Sequence, residues 1–166
     1  MTFTASLLKE MENEARTTRK MLQQVPDGKY DWKPHEKSMN IKTLTVHLAE
    51  IPGWPAFGFA SDVLDFAATP YKPTPISSKQ ELMDLLEKNA QAGREALQNA
   101  TEAQLEPTWT MKYGEKILMQ LNKYELVRHS LNQLAHHRAQ LGVYLRLLNI
   151  PIPGTYGPSA DDGAGF

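Results

Sequence analysis

The sequence predicts an all-α fold, a four-helix bundle with long crossover connections. Three observations carry this: apolar residues recur at steps of three and four over four segments, Pro and Gly cluster between those segments, and no segment shows a convincing strand alternation. At 166 residues the chain can bury one core and is too short for two. A single domain is therefore expected over residues 1–160, with 161–166 as a frayed tail.

In the first segment, residues 3–25, Phe3, Leu7, Met11, Ala15, Leu22 and Val25 keep helical spacing until Pro26-Asp27-Gly28 closes the helix. Ser38 and Asn40 are capping candidates for a second helix, whose apolar stripe is Leu44, Leu48 and Ile51. Pro52, Gly53 and Pro55 end or kink it before Phe57 and Phe59. The stretch from Thr69 to Pro75 is a stiff, proline-rich connector. Ser77 or Ser78 followed by Glu81 opens a third helix that runs through Leu82, Leu86, Gly93 and Leu97 to Asn99. Residues 101–119 suit either a short hairpin or a loop laid over the bundle. The last and longest pattern runs from about Asn122 to Asn149 and is stopped by Pro151 and Pro153.

Composition narrows the function. Eighteen basic residues against 19 acidic ones leave a net charge of −1, without the basic field that nucleic-acid or anionic-membrane binding needs. No apolar run approaches the roughly 18 residues of a membrane span, and Glu10, Glu12 and Glu14 stand where a signal peptide would carry its apolar segment. The chain reads as cytoplasmic, with a small molecule as partner rather than nucleic acid or membrane. There is no cysteine, so disulfides, thiolate metal sites and cysteine nucleophiles are excluded. Any metal must sit on His, carboxylate or amide oxygen.

The last helix supplies the candidates. At 100° per residue, with Gln133 at zero, His129, His137, Gln140 and Tyr144 fall within roughly 40° and form one polar stripe beside the apolar stripe of Val127, Leu131, Leu134, Leu141, Leu145 and Leu148. His129 and His137 are separated by about 12 Å of axial rise and cannot share an ion. Positions 133 and 137 are one turn apart and can, although Gln133 offers an amide oxygen, a weaker donor than imidazole. His136 points about 100° away from His137. A further ligand must come from another helix, and His47, between Leu44, Leu48 and Ile51, faces inward; Glu50 shares its side and is a candidate ligand, supporting partner or base. These positions also suit ordinary packing: His47 as a core histidine, His137 in an ion-paired cluster with His136 and Arg138, Gln140 and Tyr144 as hydrogen-bonding residues at the core edge. Arg138 projects into the apolar arc, which predicts a buried, paired guanidinium.

The chain resembles the DinB/YfiT-like superfamily over nearly all its length. The resemblance rests on Ser38-Met39-Asn40 leading into His47-Leu48-Ala49-Glu50-Ile51-Pro52-Gly53-Trp54, on Tyr71-Lys72-Pro73, on His136-His137-Arg138-Ala139-Gln140-Leu141 running into Tyr144-Leu145-Arg146, and on Pro153 to Asp161. It implies a four-helix bundle, often a homodimer, with a divalent metal held by one histidine of the second helix and an H-x-x-x-H pair on the last. The implied metal set is His47, Gln133 and His137, and Gln133 stands where that pattern has its first histidine. Either its oxygen ligates, water fills the position, or the metal has been lost. Zinc or nickel is the implied cofactor, activating a low-molecular-weight thiol or a water for transferase or hydrolase chemistry, with Glu50 and Tyr144 as catalytic candidates. The competing reading is a non-catalytic binding or structural dimer with a degenerate metal site.

Overall fold

The computed structural model describes residues 2–163; the last three residues of the tail expected to fray lie outside them. The helices are α1 (Phe3–Leu22), α2 (Ile41–Glu50), the short α3 (Trp54–Ala60), α4 (Lys79–Asn99) and α5 (Lys123–Leu147). Each long helix starts where a side-chain oxygen takes up free backbone N–H groups. Asn40 Oδ1 accepts from Thr43 N at 2.8 Å, Ser78 Oγ from Glu81 N at 3.2 Å, and Asn122 with Glu125 closes a reciprocal capping box at 2.8 Å in both directions. Glu81 also accepts from the backbone and hydroxyl of Ser77, so both serines of that start are used.

Helices α1, α2, α4 and α5 pack on one another around a core that includes Leu7, Met11, Leu22, Leu44, Leu48, Leu82, Leu86, Leu131, Leu134, Leu141 and Leu145. Pro52 does end α2: the chain passes through a single 3-10 turn, Ile51–Gly53, and restarts as α3. Helix α4 lies directly on that turn. A Cβ on Gly93 would meet the Pro52 carbonyl oxygen at 2.0 Å, so only a glycine admits this approach.

The all-α expectation needs correction, because the bundle carries a small three-stranded sheet in the order β1 (Val63–Asp65), β2 (Thr108–Tyr113), β3 (Lys116–Asn122). Strand β1 pairs in parallel with β2, and β2 in antiparallel with β3. Of the two options for 101–119 the hairpin forms. Gly114, at φ 58°, opens its two-residue turn with Glu115, the glycine placement a II′ turn requires. The Asp65 carboxylate accepts from Ala67 N and Gly114 N and pairs with Lys112, and Lys123 Nζ meets Asp62 at 2.7 Å, which ties strand β1 to the hairpin and to α5.

The C-terminal stretch folds back on α5. Asp161 pairs with Arg146 and accepts from Ile152 N, while Asp162 accepts from Gly154 N and Ser159 N. Asp161 and Asp162, placed by sequence in the frayed tail, thus hold a loop closed. Beneath it Arg138, 2% exposed, pairs with Glu14 at 2.7 Å and donates to the Tyr156 hydroxyl at 2.7 Å, as its helical phase requires.

Candidate functional site

The two histidines expected to meet do so. His47, in the last turn of α2, and His137, midway along α5, lie with ring centres 4.7 Å apart at 80°. An ion about 2.0–2.1 Å from one nitrogen of each ring sits about 3.2 Å from each ring centre, so imidazoles that share it at 90–110° have centres about 4.5–5.2 Å apart. The observed separation falls in that interval. Gln140 Oε1 lies 2.8 Å from His137 Nδ1 and can only accept, so Nδ1 carries the proton and Nε2 is left with its lone pair. The amide nitrogen of Gln140 donates to exposed His136 Nε2 at 3.1 Å.

Electrostatics favour the neutral ligand form at both positions. Burial lowers the pKa of His47, the nearby His137 lowers it further, and Glu50 opposes the shift. His137 is also lowered by burial, with the Gln140 hydrogen bond acting the other way and His136 adding to the decrease. A neutral imidazole is the form that binds a metal.

The third position is weaker. Gln133 lies one turn before His137 on α5 and is half-buried. Among the described residues no three His, Cys, Asp or Glu side chains converge into a metal-binding group. Glu50, the alternative donor, is engaged elsewhere: its carboxylate accepts from the Tyr71 hydroxyl at 2.7 Å, from Thr74 Oγ1 at 2.6 Å and from Thr74 N at 3.1 Å. It clamps the proline-rich connector onto the end of α2. Tyr144 is not brought to the histidine pair. Its hydroxyl donates to the Met39 carbonyl at 3.2 Å and its ring packs edge-on against Trp32. The donor set thus fits a borderline divalent ion at two nitrogen positions and leaves the remaining places to oxygen donors.

His47 and Glu50 also line a solvent-open cavity of about 690 Å³, bordered by α3, the connector, the sheet and the start of α5. Its walls are mainly apolar and aromatic, from Trp54, Phe57, Phe66, Trp109, Met111 and Leu126. His129 joins them, stacked on Trp54 with 12° between the rings, and burial lowers its pKa. Size and lining match small-molecule sites in general. Sequence reasoning found His129 but gave it no role, and it missed Trp54 and Trp109. For Trp109 the signal lay in Thr108–Tyr113, whose pairing brings an isolated tryptophan of an undecided loop against the bundle.

Comparison with known proteins agrees with this architecture. The model of the DinB family matches residues 1–164. Among solved structures, a DinB-like protein from Bacillus subtilis superposes with a TM-score of 0.71 at 18% identity, covering 90% of this chain and 97% of that one. A DinB-like protein from Bacillus cereus ATCC 10987 gives the same TM-score at 20% identity, covering 90% and 95%. No curated protein matches the sequence.

Proposed function

The chain belongs to the DinB family, and from that premise we propose that it is a metal-dependent enzyme acting on a small molecule held in the cavity beside His47. The observation that carries the reading is the approach of half-buried His47 to buried His137, 4.7 Å between ring centres, with His47 at the wall of that cavity. Zinc or nickel suits the pair. When bound, such an ion lowers the pKa of a coordinated thiol or water and so supplies a nucleophile near neutral pH, for transferase or hydrolase chemistry.

The chain's own residues have separable parts in this reading. His47 and His137 offer nitrogen donors from two helices, and Gln140 holds the His137 ring by its Nδ1–H. Gln133 offers its amide oxygen from one turn away. Glu50, through Tyr71 and Thr74, holds the connector along the edge of the cavity. The aromatic wall binds and orients the apolar part of the substrate.

The short donor count favours a second reading, a binding module that keeps the cavity without the chemistry. Metal content separates the two. Elemental analysis of untagged protein, purified without added metal, is expected to give close to one equivalent of a transition metal per chain, lost in His47→Ala and in His137→Ala. A metal-free wild-type protein that also takes up neither zinc nor nickel on dialysis would leave the binding module.

A further inference from the structure

Glu50 and Lys72 both line the 690 Å³ cavity, and their charges are met very differently. The Glu50 carboxylate accepts three hydrogen bonds, one from the Tyr71 hydroxyl and two from Thr74. Lys72 has no ion pair and no side-chain hydrogen bond among the described residues, yet its place is fixed: the anchors at Tyr71 and Thr74 lie on either side of it, and Pro70 and Pro73 stiffen the chain there. His129, half-buried at the same cavity, is likewise without a hydrogen-bond partner among the described residues. Its ring lies nearly parallel to that of Trp54, with centres 6.1 Å apart, and the Trp54 ring is in turn 5.6 Å from that of His47. One wall therefore runs from the histidine pair past Trp54 to His129. Glu50 raises the pKa of His47, whereas burial alone acts on His129, so the negative charge of the cavity is felt at the His47 end of that wall.

We infer that this cavity binds an amphipathic acid, an apolar body of one or two rings bearing a carboxylate, with the Lys72 ammonium as counter-charge and the His129 imidazole as a hydrogen-bond donor to the same carboxylate. The chemistry of the walls selects that class. Phe57, Phe66, Met111 and Leu126 take up the apolar body through burial of its surface. An ammonium has three donors and no acceptor, so its complement is an anion, and a charge-assisted bond beside apolar walls is stronger than a neutral one. A cationic ligand would meet Lys72 as a like charge and find the Glu50 oxygens already occupied. Neutral imidazole carries one N–H, and a carboxylate has two oxygens, so both donors can be used at once. Reach permits this, since a round cavity of 690 Å³ is about 11 Å across and the lysine stem is long and flexible. The inference rests on the reading of the cavity as a small-molecule site, and holds whether or not His47 and His137 carry a metal.

Two probes of nearly equal shape test it, 2-naphthoate, which is ionised at neutral pH, and 2-naphthamide, which is not. Calorimetric titrations use the full chain after removal of metal by chelator, and again with zinc restored. In the metal-free protein naphthoate is expected to bind about tenfold tighter than the amide, the margin of a charge-assisted over a neutral hydrogen bond. Lys72→Met, at an exposed position, keeps the unbranched stem and should cut that preference to about twofold or less while leaving the amide's affinity unchanged. His129→Phe, which keeps a ring against Trp54, should weaken naphthoate about threefold or more. Should His129→Phe fail to fold, the His129 ring resonances of the wild-type protein take its place, and they should move with naphthoate more than with the amide. Equal affinities, no binding of either probe, a naphthoate preference that survives Lys72→Met, or naphthoate binding untouched at His129 would each overturn the proposal. So would a preference that exists only with zinc present, because that carboxylate sits on the ion; such a result would support the metal reading while removing this one.

Discussion

Removing Arg138 should destabilise the protein by several kilocalories per mole. Its guanidinium is 2% exposed and its partner Glu14 is also buried. The pair sits at 2.7 Å, with further bonds from Arg138 to Thr18 Oγ1 at 3.2 Å and to the Tyr156 hydroxyl at 2.7 Å, and the charge lies 5.1 Å from the Tyr156 ring centre. Arg138→Ala leaves the Glu14 carboxylate buried with only the Tyr156 hydroxyl to satisfy it. Loss of one partner of a buried pair costs about 3–5 kcal/mol. At about 2–4 °C per kcal/mol for a chain of this length, the melting temperature should fall by about 6–20 °C. Urea unfolding followed by circular dichroism measures the free energy, and calorimetry the midpoint. The double variant Glu14→Gln with Arg138→Met should recover a substantial part of the loss, since it removes both charges together. An Arg138→Ala protein within about 1 kcal/mol of wild type would refute the claim that this pair closes α1 onto α5 and the C-terminal loop.

Three further outcomes follow from other contacts. Gly93→Ala, a change that favours an isolated helix by about 1 kcal/mol, should here destabilise by about 1–3 kcal/mol in urea titration, because the new Cβ meets the Pro52 carbonyl at 2.0 Å. His129, its pKa lowered by burial, should titrate below its ordinary 6.5 in an NMR pH series. The unfolded chain then binds that proton more tightly, so stability is level above about pH 6.5, falls as pH drops below it and stops falling once the folded-state pKa is passed; His129→Phe should flatten part of this acid limb. Gln133→His should tighten zinc by one to two powers of ten, about 1.4 kcal/mol each, in competition with a chromogenic chelator, whereas unchanged affinity in a folded variant would mean that position 133 does not face the ion.

What the sequence made legible follows the range of the interactions involved. Helix starts at Asn40, Ser78 and Asn122 were readable because capping is local, settled within three residues. The meeting of His47 with His137 and the burial of Arg138 were readable because helical phase fixes which face turns inward once a bundle is assumed. The sheet was not. Val63–Asp65 is three residues long and acquires its strand character only by pairing with β2, more than 40 positions away in sequence. The hairpin itself was one of two options until its Gly114 turn decided it. The cavity depends on that sheet, so Trp109 and Met111 had no visible role in the sequence. Glu50 shows a further gap: spacing placed it beside His47, but its partners Tyr71 and Thr74 come from a connector with no periodicity to read.

The central claim is that His47 and His137 hold one divalent ion between α2 and α5 with oxygen donors completing its shell. X-ray absorption at the zinc edge, on full-length protein loaded with one equivalent of zinc, tests it most directly. The account predicts two imidazole nitrogens at about 2.0–2.1 Å, the remaining donors oxygen, and loss of one imidazole in each of His47→Ala and His137→Ala. A shell of three or more imidazoles, or one unchanged by either substitution, would contradict it.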